Sequence, residues 1–139
     1  AKSVSQNTVE LSEYLLDLQK REQLKPAGHI EENFAYHAPC HLHALGSAGD
    51  GLDLLEDLCS CQVRDLNSGC CGLAGTFGMQ RKNYDLSQRI GKELAEAIKT
   101  SPEKTVLSEC AACRMQIEHL TGKLTDHPIK VLARAYGLT

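Results

Sequence analysis

The chain has 139 residues, 15 Lys and Arg against 18 Asp and Glu for a net charge of −3, and a 42% hydrophobic content with no Trp. That length holds one aliphatic core without disulfide staples. The interleaved charges give no electrostatic reason to expect nucleic acid or an anionic membrane surface as partner, and no apolar run approaches the roughly 20 residues of a membrane-spanning helix.

In chain order, residues 8–21 carry Val9, Leu11, Leu15 and Leu18 at helical spacing, with Lys20 and Arg21 favourable at the C-terminal end. Pro26 and Gly28 end that element. Residues 34–37 read as a short strand running into Pro39 and Cys40, and 46–51 as a loop. Leu52, Leu54, Leu55 and Leu58 predict a helix, and residues 61–66 a second short strand. Residues 84–99 give the clearest helix, with Leu86, Ile90, Leu94 and Ile98 at i, i+4 spacing and Asn83 as the expected N-cap. Ser101 and Pro102 stop it. Residues 105–108 form a β-branched and apolar strand, and 111–120 a helix with Met115 and Leu120 expected inward. Asp126-His127-Pro128 opens a last helix that ends before Gly137. Strands alternating with helices predict an α/β fold: a small, mainly parallel sheet of about three strands flanked by helices, a Rossmann-like layer.

Seven cysteines is a high and odd number, so complete disulfide pairing within the chain is impossible. No secretory leader pattern is present, which predicts a reducing, cytoplasmic compartment and thiols used for metal or redox chemistry. Each predicted strand ends at cysteine: Cys40 after the first, Cys70 and Cys71 after the second, Cys110 and Cys113 after the third. In a parallel sheet these strand ends share one edge, where open α/β sheets collect ligands. Five thiols separated by 29, 0, 38 and 2 residues are therefore expected to converge. Gly69 and Gly72 bracket the adjacent pair and permit the turn it needs to present both sulfurs together. Cys110 and Cys113 begin a helix, whose N-terminal dipole favours thiolate. Arg81, Lys82 and Arg114 could offset the negative charge of such a site.

The segments YHAPCH (36–41), CCGLAGTFG (70–78), SECAACRMQIE (108–118) and DHPIKVLARAYG (126–137) resemble the CCG, or cysteine-rich, domain. That domain usually occurs as two copies, in proteins such as the heterodisulfide reductase B subunit, glycolate oxidase iron–sulfur subunits and lactate utilisation proteins. The form here looks closest to the C-terminal copy in the C subunit of anaerobic glycerol-3-phosphate dehydrogenase or in flavin-linked oxidase fusions. Residues 1–139 are accordingly expected to be a single CCG domain, the C-terminal fragment of a longer chain. The resemblance implies a [4Fe–4S] cluster, non-cubane in heterodisulfide reductase, held by Cys40, Cys70, Cys71, Cys110 and Cys113. Zinc is the alternative, since thiolates bind both, although five candidate thiolates exceed the four of a tetrahedral zinc site.

The implied function is iron–sulfur electron transfer inside a flavin-dependent oxidoreductase, with electrons relayed toward quinone or another carrier. The alternative is a structural zinc-binding or subunit-docking module without a redox role. A flavoprotein dehydrogenase carrying the FAD and a second CCG domain are the expected partners, and they could hold the module peripherally at the inner face of the membrane. No Ser/His/Asp constellation, phosphate-binding glycine loop or carboxylate pair is evident, so no catalytic residue is assigned and the module is not expected to turn over substrate alone. A thioredoxin-type role for Cys110 and Cys113 is disfavoured by the companion Cys70, Cys71 and Cys40. His41 and His43 read either as donors or a substitute ligand beside Cys40, or as loop histidines bonding local backbone. His119 and His127 read as helix-surface and helix-cap residues, and Cys59 and Cys61 as packing or spare thiols. Leu73, Phe77 and Met79 form either an apolar patch beside the site or part of the core.

Overall fold

The computed structural model describes residues 2–138. Four three-residue strands, β1 (Phe34–Tyr36), β2 (Val63–Asp65), β3 (Thr105–Leu107) and β4 (Leu124–Asp126), form one sheet in the order β2-β1-β3-β4. Every neighbouring pair is parallel, with Phe34 opposite both Val63 and Thr105, and Thr105 opposite Leu124. The described helices are α1 (Lys2–Gln6), α2 (Leu11–Lys20), α3 (Cys40–Leu45), α4 (Asp50–Cys59), α5 (Tyr84–Thr100), α6 (Ala111–Thr121) and α7 (Pro128–Ala135). The α/β class and the small parallel sheet predicted from the sequence are both present.

The sheet is covered on both faces, as parallel strands require. Side chains alternate along β1, so Phe34 and Tyr36 join the core shared with Leu54, Leu55 and Leu58 of α4 and with Val131 and Leu132 of α7. Ala35 points the other way, into a second core with Leu94 and Ile98 of α5, Val106 of β3 and Ile117 of α6. In α4 the buried residues are Gly51, Leu54, Leu55, Leu58 and Cys59, a stripe of period 3.6. Burial of each of those leucines contributes about 1.5–3 kcal/mol.

Four expectations are corrected. β4 was not foreseen, because an edge strand needs only backbone pairing with β3; Leu124 at its start is 70% exposed and leaves no apolar signature. In α5 the strict four-residue spacing drifts around the helix by about 40° per step. Leu86 and Ile90 are therefore exposed, and the buried stripe is Ser87, Gly91, Leu94, Ala95 and Ile98. Met115 faces solvent, while Leu120 is half-buried against α5 at Gly91. Asn83 precedes α5 without capping it; its side-chain amide donates to the Phe77 carbonyl at 3.1 Å instead. The close of the chain follows its sequence signals. His127 Nδ1 accepts from the Ile129 N–H at 3.1 Å, Pro128 opens α7, and Gly137 at φ +69° ends it with the paired Gly137-to-Arg134 and Leu138-to-Ala133 hydrogen bonds.

Candidate functional site

Because all four strands run the same way, the segments after β1, β2 and β3 leave the sheet at one edge. All five cysteines of the motif lie there. Cys40 is the first residue of α3, Cys70 and Cys71 follow β2, Cys110 is the N-cap of α6 and Cys113 sits in its first turn.

The sulfurs meet in pairs. Cys40 Sγ lies 3.4 Å from Cys70 Sγ, and the Gly72 N–H donates to Cys70 Sγ at 3.3 Å. Cys71 shares a proton with Cys113, which also bonds Cys110. Among the described residues no three of the sulfurs close into one metal cage. Cys40, Cys70, Cys71, Cys110 and Cys113 thus share one edge of the sheet without closing into a single cage.

The electrostatics favour one thiolate above the rest. The bond from Cys113, followed by the N–H groups of Leu73 and Ala74, holds Cys71 down to about 6, against a desolvation that alone would raise it. Its partner Cys113 is pushed up by the same sharing. Cys70 is raised to about 11, chiefly by burial, although Gly72 donates to it. Cys71 and Cys113 are buried, Cys70 and Cys110 half-buried, and Cys40 exposed at the rim.

The turn that presents Cys71 is set by backbone proximity. Gly72 adopts φ +86°, and a β-carbon there would collide with the carbonyl of Ser87 in α5. Gly91 makes the reciprocal approach from α5: its missing β-carbon leaves room for the Cys71 carbonyl. Ser87 Oγ accepts from Gln116 Nε2 at 3.0 Å, which ties α5 to α6 beneath the cysteines. Reading the sequence missed Gly91; the signal was a glycine inside a strongly periodic helix.

A second support was also missed. Tyr36, the last residue of β1, donates through its hydroxyl to Glu109 Oε1 at 2.9 Å and lies 3.1 Å from the Ala48 carbonyl. Burial holds the Glu109 carboxyl above its ordinary range, and the pair joins the loop before α4 to the residue before Cys110.

Beside Cys40 and Cys70 opens a cleft of about 300 Å³ lined also by His37, His43, Asp65 and Asn67. His43 shares a helix face with Cys40, three residues away, whereas His41 is exposed outside the cleft lining. His37 is 3% exposed, and burial lowers its pKa to about 4. Its Nε2 has no partner among the described residues, nor do the buried Ser108 Oγ, Glu109 Oε2 and Arg114 Nε, all close in sequence to the cysteines. A sulfur-rich donor set, backbone N–H groups aimed at two sulfurs and an unused guanidinium N–H suit an anionic thiolate-bound metal group. Arg81 and Lys82, expected to share that role, lie exposed on the turn before α5. Leu73 belongs to the core, whereas Phe77 and Met79 are exposed.

The chain is 38% identical over 120 residues to the C subunit of anaerobic glycerol-3-phosphate dehydrogenase of Escherichia coli (strain K12), a match covering 86% of this chain and 30% of that protein. It is 33% identical over 73 residues to D-2-hydroxyglutarate dehydrogenase of the same organism, covering 51% of this chain and 7% of that protein. Over 135 residues it is 27% identical to lactate utilization protein A of Geobacillus sp. (strain WCH70), covering 95% and 55%. The chain spans less than a third of the length of the glycerol-3-phosphate dehydrogenase subunit. The cysteine-rich domain family, CCG, matches residues 34–118, a span holding all five edge cysteines, and the chain belongs to that family.

Proposed function

We propose that this chain is the iron–sulfur electron-transfer module of a flavin-dependent oxidoreductase of the glycerol-3-phosphate, glycolate, lactate or heterodisulfide type. Cys40, Cys70, Cys71, Cys110 and Cys113 are the residues that would hold the cluster, of [4Fe–4S] composition. The observation that carries this reading is the gathering of five thiols from three strand ends at one edge. When bound, such a cluster accepts and passes single electrons.

The chain's own residues supply the environment. Gly72, Leu73 and Ala74 direct backbone N–H groups at the sulfurs of Cys70 and Cys71, which stabilises negative charge there. Arg114 brings a buried N–H without a protein partner. Burial of Cys71 and Cys113 excludes water from the inner sulfurs, while exposed Cys40 leaves the cleft side open to a partner. A flavoprotein dehydrogenase and a second cysteine-rich copy are the proposed partners, in keeping with the small share of its relatives that this chain spans. The proposed location is cytoplasmic, at the membrane only through partners; no helix among the described residues is long and apolar enough to cross a membrane.

The test is an anaerobic preparation of the chain, reconstituted with ferrous iron and sulfide. Bound iron with matching acid-labile sulfide, visible sulfur-to-iron absorption and a paramagnetic signal on one-electron reduction are expected. Stoichiometric zinc with no sulfide under the same conditions would replace this reading with a structural zinc module.

A further inference from the structure

Cys59 and Cys61 stand apart from the cysteine edge. Cys59 closes α4, and Cys61 precedes β2, whose far end leads to Cys70, so the pair sits at the opposite, N-terminal edge of the sheet. We propose that Cys59 and Cys61 form a second thiol site, a dithiol that closes reversibly to a disulfide when a hydroperoxide reaches it.

The backbone places the two for this. Ser60 between them is left-handed, at φ 47° and ψ 33°, a conformation that non-glycine residues rarely adopt. Helical dihedrals of either hand bring α-carbons two residues apart to about 5.4 Å, inside the window of roughly 4.4–6.8 Å that a disulfide needs. An extended residue 60 would hold them at the limit of that window or beyond it. The turn is fastened from outside, since His29 Nδ1 lies 2.9 Å from the Ser60 carbonyl and the Ile30 N–H donates to the Cys59 carbonyl at 3.3 Å. The thiols already interact, with the proton held on Cys59 and Cys61 the more acidic of the two.

The surroundings set the order of events. Cys59 is fully buried among Leu55, Leu58 and Leu132, whereas Cys61 keeps 5% of its surface exposed. Besides Cys59, its sulfur makes a long contact, 3.8 Å, to the Leu55 carbonyl. Cys61 loses its proton to water, and its thiolate attacks the terminal peroxide oxygen, breaking the O–O bond to give a sulfenic acid and an alkoxide (hydroxide from hydrogen peroxide) that takes up that proton. The Cys59 sulfur then attacks the Cys61 sulfur, forming S–S and expelling hydroxide, which takes the Cys59 proton as water. Two thiols lose two electrons and two protons, and the hydroperoxide is reduced to water and its hydroxyl product.

The site is independent of the metal reading, and its test does not use activity. The purified chain is treated with hydrogen peroxide, alkylated in denaturant and cleaved on the N-terminal side of aspartate. Asp57 and Asp65 then bracket the peptide 57–64, whose only cysteines are these two. The expected product is that peptide lighter by two hydrogens and unalkylated, with both alkylation sites restored by dithiothreitol. In the near-isosteric Cys59→Ser variant, Cys61 is expected to accumulate as a sulfenic acid trapped by dimedone. Full alkylation of both residues after peroxide, irreversible sulfinic acid on Cys61, or pairing of either residue with an edge cysteine would overturn the proposal.

Discussion

Gly91 in α5 and Cys71 in the loop after β2 face each other so closely that a β-carbon at residue 91 would stand 2.5 Å from the Cys71 carbonyl oxygen. A helix interior normally gains about 1 kcal/mol from Gly→Ala. Here the added methyl group would meet rigid backbone on one side and Leu120 on the other. Overpacking of this kind costs roughly 1–3 kcal/mol. Gly91→Ala is expected to lower stability in urea unfolding despite its better helix propensity, and to reduce iron retention by displacing Cys71. A variant more stable than the parent would show that the loop yields freely.

Tyr36 and Glu109 form the second clamp. Tyr36→Phe keeps the ring in the core but leaves the Glu109 carboxyl, one of whose oxygens is already unpartnered, without its hydroxyl donor. A loss of about 1–3 kcal/mol is expected, the cost of an unsatisfied buried acceptor. Denaturant melts of parent and variant at neutral pH measure it, and indistinguishable midpoints would mean that water replaces the hydroxyl without penalty.

His37 makes a pH prediction. Burial, then the neighbouring His43, holds its pKa at about 4, below the ordinary 6.5. The unfolded chain therefore binds more protons than the folded one between those values, and stability falls as pH drops from 6.5 toward 4. The full effect approaches about 3 kcal/mol, lost progressively across that window. His37→Gln, which cannot titrate, is expected to flatten the difference between unfolding free energies at pH 7 and pH 4.5. The same acid sensitivity in both proteins would assign it to other groups.

The cysteines differ in expected importance for the proposed cluster. Cys71→Ser and Cys113→Ser remove the buried, mutually bonded thiols at the inner end of the series and are expected to abolish most iron binding after anaerobic reconstitution. Cys59→Ser and Cys61→Ser, at the other edge of the sheet, are expected to leave the iron content near that of the parent. Equal losses at all four positions would mean that iron content follows general folding rather than ligation.

The proposed electron relay has a kinetic consequence. Oxidising a hydroxy acid or polyol phosphate requires a hydride acceptor and a base, and this chain is expected to supply neither. Purified chain with glycerol 3-phosphate, lactate or glycolate and an artificial acceptor should show no turnover, with activity appearing only when flavoprotein and second-copy partners are added. Turnover by the chain alone would end the relay reading.

Local chemistry determined much of this protein in advance. The alternation of strands and helices, the α7 cap at His127 and Pro128, its glycine stop, and cysteine at the end of each of three strands depend on neighbours within a few residues, so they are visible in a linear string. Parallel pairing then carries Cys40, Cys70, Cys71, Cys110 and Cys113 to one edge by topology alone. Only the tertiary structure decided which sulfur meets which, because that depends on loops whose course is set by contacts such as Gly91 against Cys71. It alone added β4, an edge strand held by backbone hydrogen bonds with little side-chain signature. It also turned Leu86, Ile90 and Met115 outward, since burial follows where the sheet lies beneath a helix and not apolar character by itself. The same dependence on distant packing hid the Tyr36–Glu109 clamp, whose partners are 73 residues apart. The pairing of Cys59 with Cys61 was hidden for a local reason: it rests on a left-handed serine, which composition and spacing do not announce.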